Sequence, residues 1–183
     1  SKEETAKRLI EEVRKVIEEV KKRAEDSNDH NRRSIEEVEK TLKRLIDEVR
    51  RVVEEVKEKI SRTTDKDDIK RVLEEIKRIA EEVVRKIRRL LEEITRNSER
   101  IVRENEKLLR EIEEIVRRVL EELKRLDLKE AVEEIERLMR KIKKVVEDSV
   151  RNVERTMREV EEKVRKVEED VRRLAEDVTR AVK

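Results

Sequence analysis

Residues 69–126 read IKRVLEEIKRIAEEVVRKIRRLLEEITRNSERIVRENEKLLREIEEIVRRVLEELKRL, and their apolar positions recur at a step of 18. Ile69, Ile87, Asn105 and Leu123 form one such row, and Val72, Leu90, Leu108 and Leu126 form another. Leu73, Leu91 and Leu109 follow the same step, as do Ile76, Ile94 and Ile112, and then Ile79, Asn97 and Ile115. Eighteen residues make five turns at 3.6 residues per turn, so all these positions lie on one stripe of a single unbroken helix. Leu, Ile and Val fill the stripe except near its middle, where Asn97, Ser98 and Asn105 interrupt it.

The same argument carries outward to the N-terminal third. An apolar stripe through Ala6, Leu9, Ile10, Val13, Val16, Ile17, Val20 and Ala24 gives way to Asp26-Ser27-Asn28-Asp29-His30-Asn31-Arg32-Arg33-Ser34, then resumes at Ile35 and Val38 and runs to Ile60. Local propensity reads the polar patch as a loop. Helical phase says otherwise. A step of 18 from Leu9, Ile10, Val13 and Val16 lands on Ser27, Asn28, Asn31 and Ser34, and the next step lands on Leu45, Ile46, Val49 and Val52. A loop has no reason to keep that phase, whereas a continuous helix must. The spacing therefore predicts one helix over 2–61. Ser1 and Glu4 are spaced as a capping box at its start.

Ser61-Arg62-Thr63-Thr64-Asp65 breaks the pattern, with Thr64 or Asp65 as the N-cap of a second helix over 65–126. Asp127 and Glu130 suggest another N-cap, with Leu126 and Ala131 as a hydrophobic staple, opening a third helix over 128–182. Three helices of about 55–60 residues joined by short turns must run up, down, up. Each stripe covers roughly 120–140° of its helix, enough to face two neighbours. The fold class expected is all-α: a single elongated three-helix bundle domain spanning 1–183, its helices nearly straight.

Composition narrows the function. Charged residues make up 56% of the 183 and hydrophobic residues 34%, with no aromatic residue, Gly, Pro or Cys. Such a chain with helical periodicity reads as long helix rather than disorder. The 52 basic and 50 acidic residues are interspersed and leave a net charge of +2, so there is no one-signed surface of the kind nucleic acid requires. No apolar run approaches the roughly 20 residues of a membrane span. His30 is the sole histidine and there is no thiol, which leaves no metal-ligand spacing. Met139 and Met157, one repeat apart, read as core fillers. No phosphate loop and no nucleophile–base arrangement is present. The expectation is that the chain is not an enzyme, takes no cofactor and no metal, and has no nucleic-acid or membrane partner.

The candidate site is the set of polar residues at stripe positions: Ser27, Asn28, Asn31 and Ser34 on the first helix, Asn97, Ser98 and Asn105 on the second, Ser149 and Thr156 on the third. Short turns give antiparallel partners whose numbers sum to about 128 for the first two helices and about 255 for the last two. Asn31 then falls opposite Asn97, Asn97 and Ser98 near Thr156, and Asn105 near Ser149. All nine are expected at one level, as a buried hydrogen-bond network that fixes register. The competing reading is a polar pocket for a small ligand or ordered water.

The repeat of 18, the missing Gly, Pro and aromatics, the Glu/Lys/Arg surface and the central Asn/Ser/Thr layer together resemble a de novo designed, parametrically generated helical bundle. The resemblance covers the whole chain and implies a fold and an origin, with no substrate. It implies a rigid scaffold whose buried polar network gives fold and register specificity, and the charged faces outside the stripes favour a monomer without partners. The alternative it leaves open is a designed protein–protein interaction or assembly module, a subunit joining copies of itself. A spectrin-like repeat fits poorly, because such repeats are shorter and usually have a core tryptophan.

Overall fold

The computed structural model describes residues 1–182. Lys183, the last residue of the domain read from the sequence, lies outside the described residues. Three helices account for nearly all of the chain: α1 (Lys2–Arg62), α2 (Lys66–Arg125) and α3 (Lys129–Val182). The polar patch from Asp26 to Ser34 is helical throughout, so phase prevails over local propensity. The three helices form an up-down-up three-helix bundle.

The described chain divides into two compact units, and every helix contributes to both. The first comprises Ser1–Arg32 and Asn97–Thr156. Its core is Leu9, Val13, Val20 from α1, Ile112, Val116, Leu123 from α2, and Ile135, Ile142, Val146 from α3. Within it, Arg14 pairs with Glu134 and Ser149 bonds Asn28, at sequence separations of 120 and 121. A near-constant separation means that α1 and α3 run parallel here. In the same unit Asn31 meets Ser98, while the lower-numbered Arg23 to Ser27 share a groove with the higher-numbered Glu104 to Glu111, so α2 is antiparallel to α1.

The second unit comprises Arg33–Arg96 and the chain from Met157 onward. Its core includes Leu42, Val49, Val53, Ile76, Ile87, Ile94, Met157, Val160, Val164 and Val171. Met157 is buried and Met139 half-buried, both among apolar neighbours. In both units apolar burial carries the stability, at about 1.5–3 kcal/mol for each fully buried Val, Leu or Ile. Most ion pairs are exposed i,i+3 or i,i+4 pairs such as Glu19–Arg23 and Glu58–Arg62, and such pairs contribute at most about 1 kcal/mol each.

The helix ends are closed without glycine. The Ser1 hydroxyl accepts from the Glu4 amide at 3.3 Å, which is the capping half of the expected box, and the Glu4 carboxylate returns as an ion pair 3.9 Å from the Ser1 amine. At the end of α1 the Ser61 and Thr63 hydroxyls donate to the Glu58 and Lys59 carbonyls, and Lys59 is among the four residues whose carbonyls a helix end leaves without an intrahelical partner. Asp65 caps α2, its carboxylate accepting from the Asp67 amide at 3.0 Å.

The second turn departs from expectation. Asp127 does not act as the N-cap of α3, which begins only at Lys129. It takes a left-handed conformation (φ 58°) as the residue just past the end of α2. Its amide donates to the Lys124 carbonyl and the Leu128 amide to the Leu123 carbonyl, the two bonds of a Schellman motif. The accompanying apolar contact falls to Leu128, which packs on the cluster holding Leu123 and Ala131, so no staple centred on Leu126 defines this end. With no glycine available, Asp is among the few residues that tolerate this backbone region. Asp127→Gly is therefore expected to raise unfolding stability by about 0.5–1 kcal/mol, read as a higher midpoint in guanidinium chloride. An unchanged or lower midpoint would contradict this assignment.

Candidate functional site

The polar stripe residues divide by burial. Asn31, Ser98, Asn105 and Ser149 are the buried polar residues, at 1–5% exposure, and all four belong to the first unit. Asn28 is half-buried in the same unit. Each stands on a seam position because helical spacing puts it there: Ser98, Ile101 and Asn105 step by three and four along α2, as do Ala24, Asn28 and Asn31 along α1.

Two sets of hydrogen bonds join them. The Ser98 hydroxyl donates to Asn31 Oδ1 at 3.2 Å, linking α2 to α1. Asn105 Nδ2 donates to Ser149 Oγ at 3.3 Å, and the Ser149 hydroxyl in turn donates to Asn28 Oδ1 at 2.9 Å. The second set runs from α2 through α3 to α1, with Ser149 acting as acceptor and donor at once. Both of its bonds point the same way, an arrangement in which neighbouring hydrogen bonds polarise one another. Asn105 Oδ1 is enclosed and has no hydrogen-bond partner.

The remaining members of the predicted set are placed differently. Asn97 is half-buried and its Oδ1 accepts from Arg100 at 2.6 Å. Asn31 meets Ser98 instead of Asn97, because one residue is a 100° step around α2 and Asn97 lies at the edge of its stripe. The Thr156 hydroxyl turns back to the Asn152 carbonyl of its own helix at 2.6 Å. Ser27 is half-buried and lines a groove of about 390 Å³ between α1 and α2, with Arg23, Asp26, Glu104, Lys107, Leu108 and Glu111. Ser34 is half-buried and falls in the second unit. His30 is exposed.

Sequence reasoning put Ala24 on the α1 stripe but assigned neither it nor Ile101 nor Val153 to this layer. Ala24, Ile101 and Val153 are buried yet belong to neither apolar cluster. They alternate along the helices with the polar residues, and only the register of the three helices could have marked them as members of the layer.

Chemically the set is amide and hydroxyl groups alone. Neither is a strong nucleophile or base without an imidazole or carboxylate beside it. Among the described residues no group of His, Cys, Asp or Glu is placed to hold a metal ion, and no helix is long and apolar enough to cross a membrane.

No protein-family model and no curated protein matches this chain. Among solved structures the fold is similar to that of a computationally designed three-helix bundle, at 21% identity and a TM-score of 0.63, the match covering 99% of this chain and 86% of that one.

The unequal roles of the hydroxyls give a measurable ranking. Ser149→Ala removes both bonds of the three-helix set and leaves buried amide groups unserved, and it is expected to cost about 2–3 kcal/mol by guanidinium denaturation. Thr156→Ala removes only a bond back to its own helix and should stay within about 0.5 kcal/mol of the parent. Equal costs would mean that Ser149 does not join the helices.

Proposed function

We propose that this chain is a designed structural scaffold with no natural biochemical activity, in which the buried polar set holds the helices in register. The observation that supports this most is the Asn105–Ser149–Asn28 set, which takes one residue from each helix. Apolar seams slide at little cost, since an aliphatic residue meets another one seven positions along the stripe, as Val13 and Val20 or Ile87 and Ile94 do. A slip that parts the amides leaves them buried without partners, at about 1–3 kcal/mol each. One polar residue in an otherwise apolar seam is the best-attested device for setting register and oligomeric state. The likeness to a designed bundle agrees with this reading, as does a buried polar set made of amide and hydroxyl groups alone.

In this proposal the protein is a monomer, needs no cofactor or partner, and behaves as one domain over 1–183. Support for a single domain comes from the helices themselves, each of which runs unbroken through both units. Val13→Ala in the first unit and Val164→Ala in the second should both lower the midpoint of the same cooperative transition, by about 1–2 kcal/mol. Two separate transitions, each answering to one substitution, would rule out the single domain.

The register role has its own test. Replacing Asn31, Asn97 and Asn105 together with Leu removes the discrimination while adding apolar volume. The variant is expected to remain helical but to show mixed oligomeric states by light scattering, or a broadened distance between spin labels at exposed Lys15 and Glu114, with a component displaced by about 10 Å, seven residues of helix rise. A monomer with the parent's distance distribution would remove the register role.

A second reading, the assembly module, has one observation in its favour. Ile115, 38% exposed, is the one exposed large hydrophobic side chain among the described residues. A doubled mass in solution that returns to monomer on Ile115→Lys would move the function to that reading.

A further inference from the structure

Asn105 carries one polar atom more than its protein neighbours serve. Its Nδ2 is bonded to Ser149, its Oδ1 has no partner, and the residue is 1% exposed. Turning the amide over does not resolve this. Ser149 already gives its one hydroxyl proton to Asn28, so the turned oxygen would find no donor there, and the nitrogen would be the enclosed atom without an acceptor. In either orientation one edge of a buried amide is left over. An unserved buried amide edge costs more than immobilising a water molecule beside it, so polar sites of this kind hold water when there is room.

Register places a small side chain nearby. Asn31 meets Ser98, and moving seven residues down α1 and seven up the antiparallel α2 brings Ala24 to the level of Asn105. Ala24 is buried, and its counterpart one repeat along the stripe is Leu42, which is three carbon atoms larger. The smallest side chain of this part of the seam thus stands at the level of the unserved oxygen. An open groove runs past the same level. The groove of about 390 Å³ is lined on α2 by Glu104 and Leu108, which bracket Asn105, and on α1 by Ser27, which precedes Asn28.

We propose that Asn105 Oδ1 is the acceptor of an internal water molecule, held within the first unit at the level of Ala24 and exchanging with solvent by way of the Ser27 groove. Water suits the position because it both donates and accepts, and so serves the amide in either orientation. The enclosure of Asn105 restricts the occupant to this size. This site concerns solvation of one amide and stands whether or not the polar set controls register.

A crystal structure of the full chain at a resolution that shows ordered water tests it directly. The expected result is a density peak about 2.8–3.0 Å from the Asn105 side-chain amide, on the side away from Ser149. A dry amide, or a protein donor moved into that place, would overturn the proposal. A bound water in a parent chain whose Leu-substituted triple variant keeps its register would sink the register role while leaving this site intact.

Discussion

Everything here depends on one constraint: a helix cannot change the direction in which a residue points without breaking its hydrogen-bond ladder. Once α1 runs unbroken through a polar patch, the residues of that patch are committed to the seam whether or not they are apolar. Ser27, Asn28, Asn31 and Ser34 are therefore not spacers between two helices. They occupy positions that hold Leu, Ile and Val one repeat before and one repeat after. Helix continuity carries the polar groups into the bundle, where the energetic consequence follows: an amide taken from water must find a partner or be left unserved.

The partners found are unequal, and the inequality separates structural weight from sequence position. Ser149 serves two amides through one hydroxyl, whereas Thr156, also on the α3 stripe, satisfies itself on its own backbone. Thr and Ser hydroxyls differ little in isolation. Their different roles here come from where the neighbouring helices present an amide. The apolar clusters supply most of the free energy of folding, while the polar set keeps its amides and hydroxyls in hydrogen bonds between helices.

The fold was legible because phase is additive over long stretches, so that a patch of nine unpromising residues cannot outvote the far longer stripe on either side of it. The site was legible only in composition. Which residues stand on the stripe follows from the step of 18, but which of two adjacent residues meets the next helix depends on rotation by a fraction of a turn, and Ser98 rather than Asn97 faces Asn31 for that reason. Asp127 was misread for a related cause. The residue types favoured at an N-cap overlap with those that tolerate a positive φ, and the two roles are told apart only by which carbonyls the next two amides reach.

The two edges of the α1 stripe look to different neighbours: Asn31 to α2 and Asn28 to α3. Three helices joined in this order can be wound around one another in either of two mirror topologies, and apolar seams of this kind distinguish them poorly. In the opposite winding the two edges exchange neighbours while their levels stay the same. Asn28 would then look across to the level of Ile101, Asn31 to that of Val153, and Asn105 to that of Ala24, leaving only Ser98 to find a hydroxyl, at Thr156. The three buried apolar residues interleaved with the polar set thus stand where the mirror topology would need donors and acceptors. The placement of Ala24, Ile101 and Val153 bears on the chirality of the bundle, a property that the level of each residue along the helices leaves open.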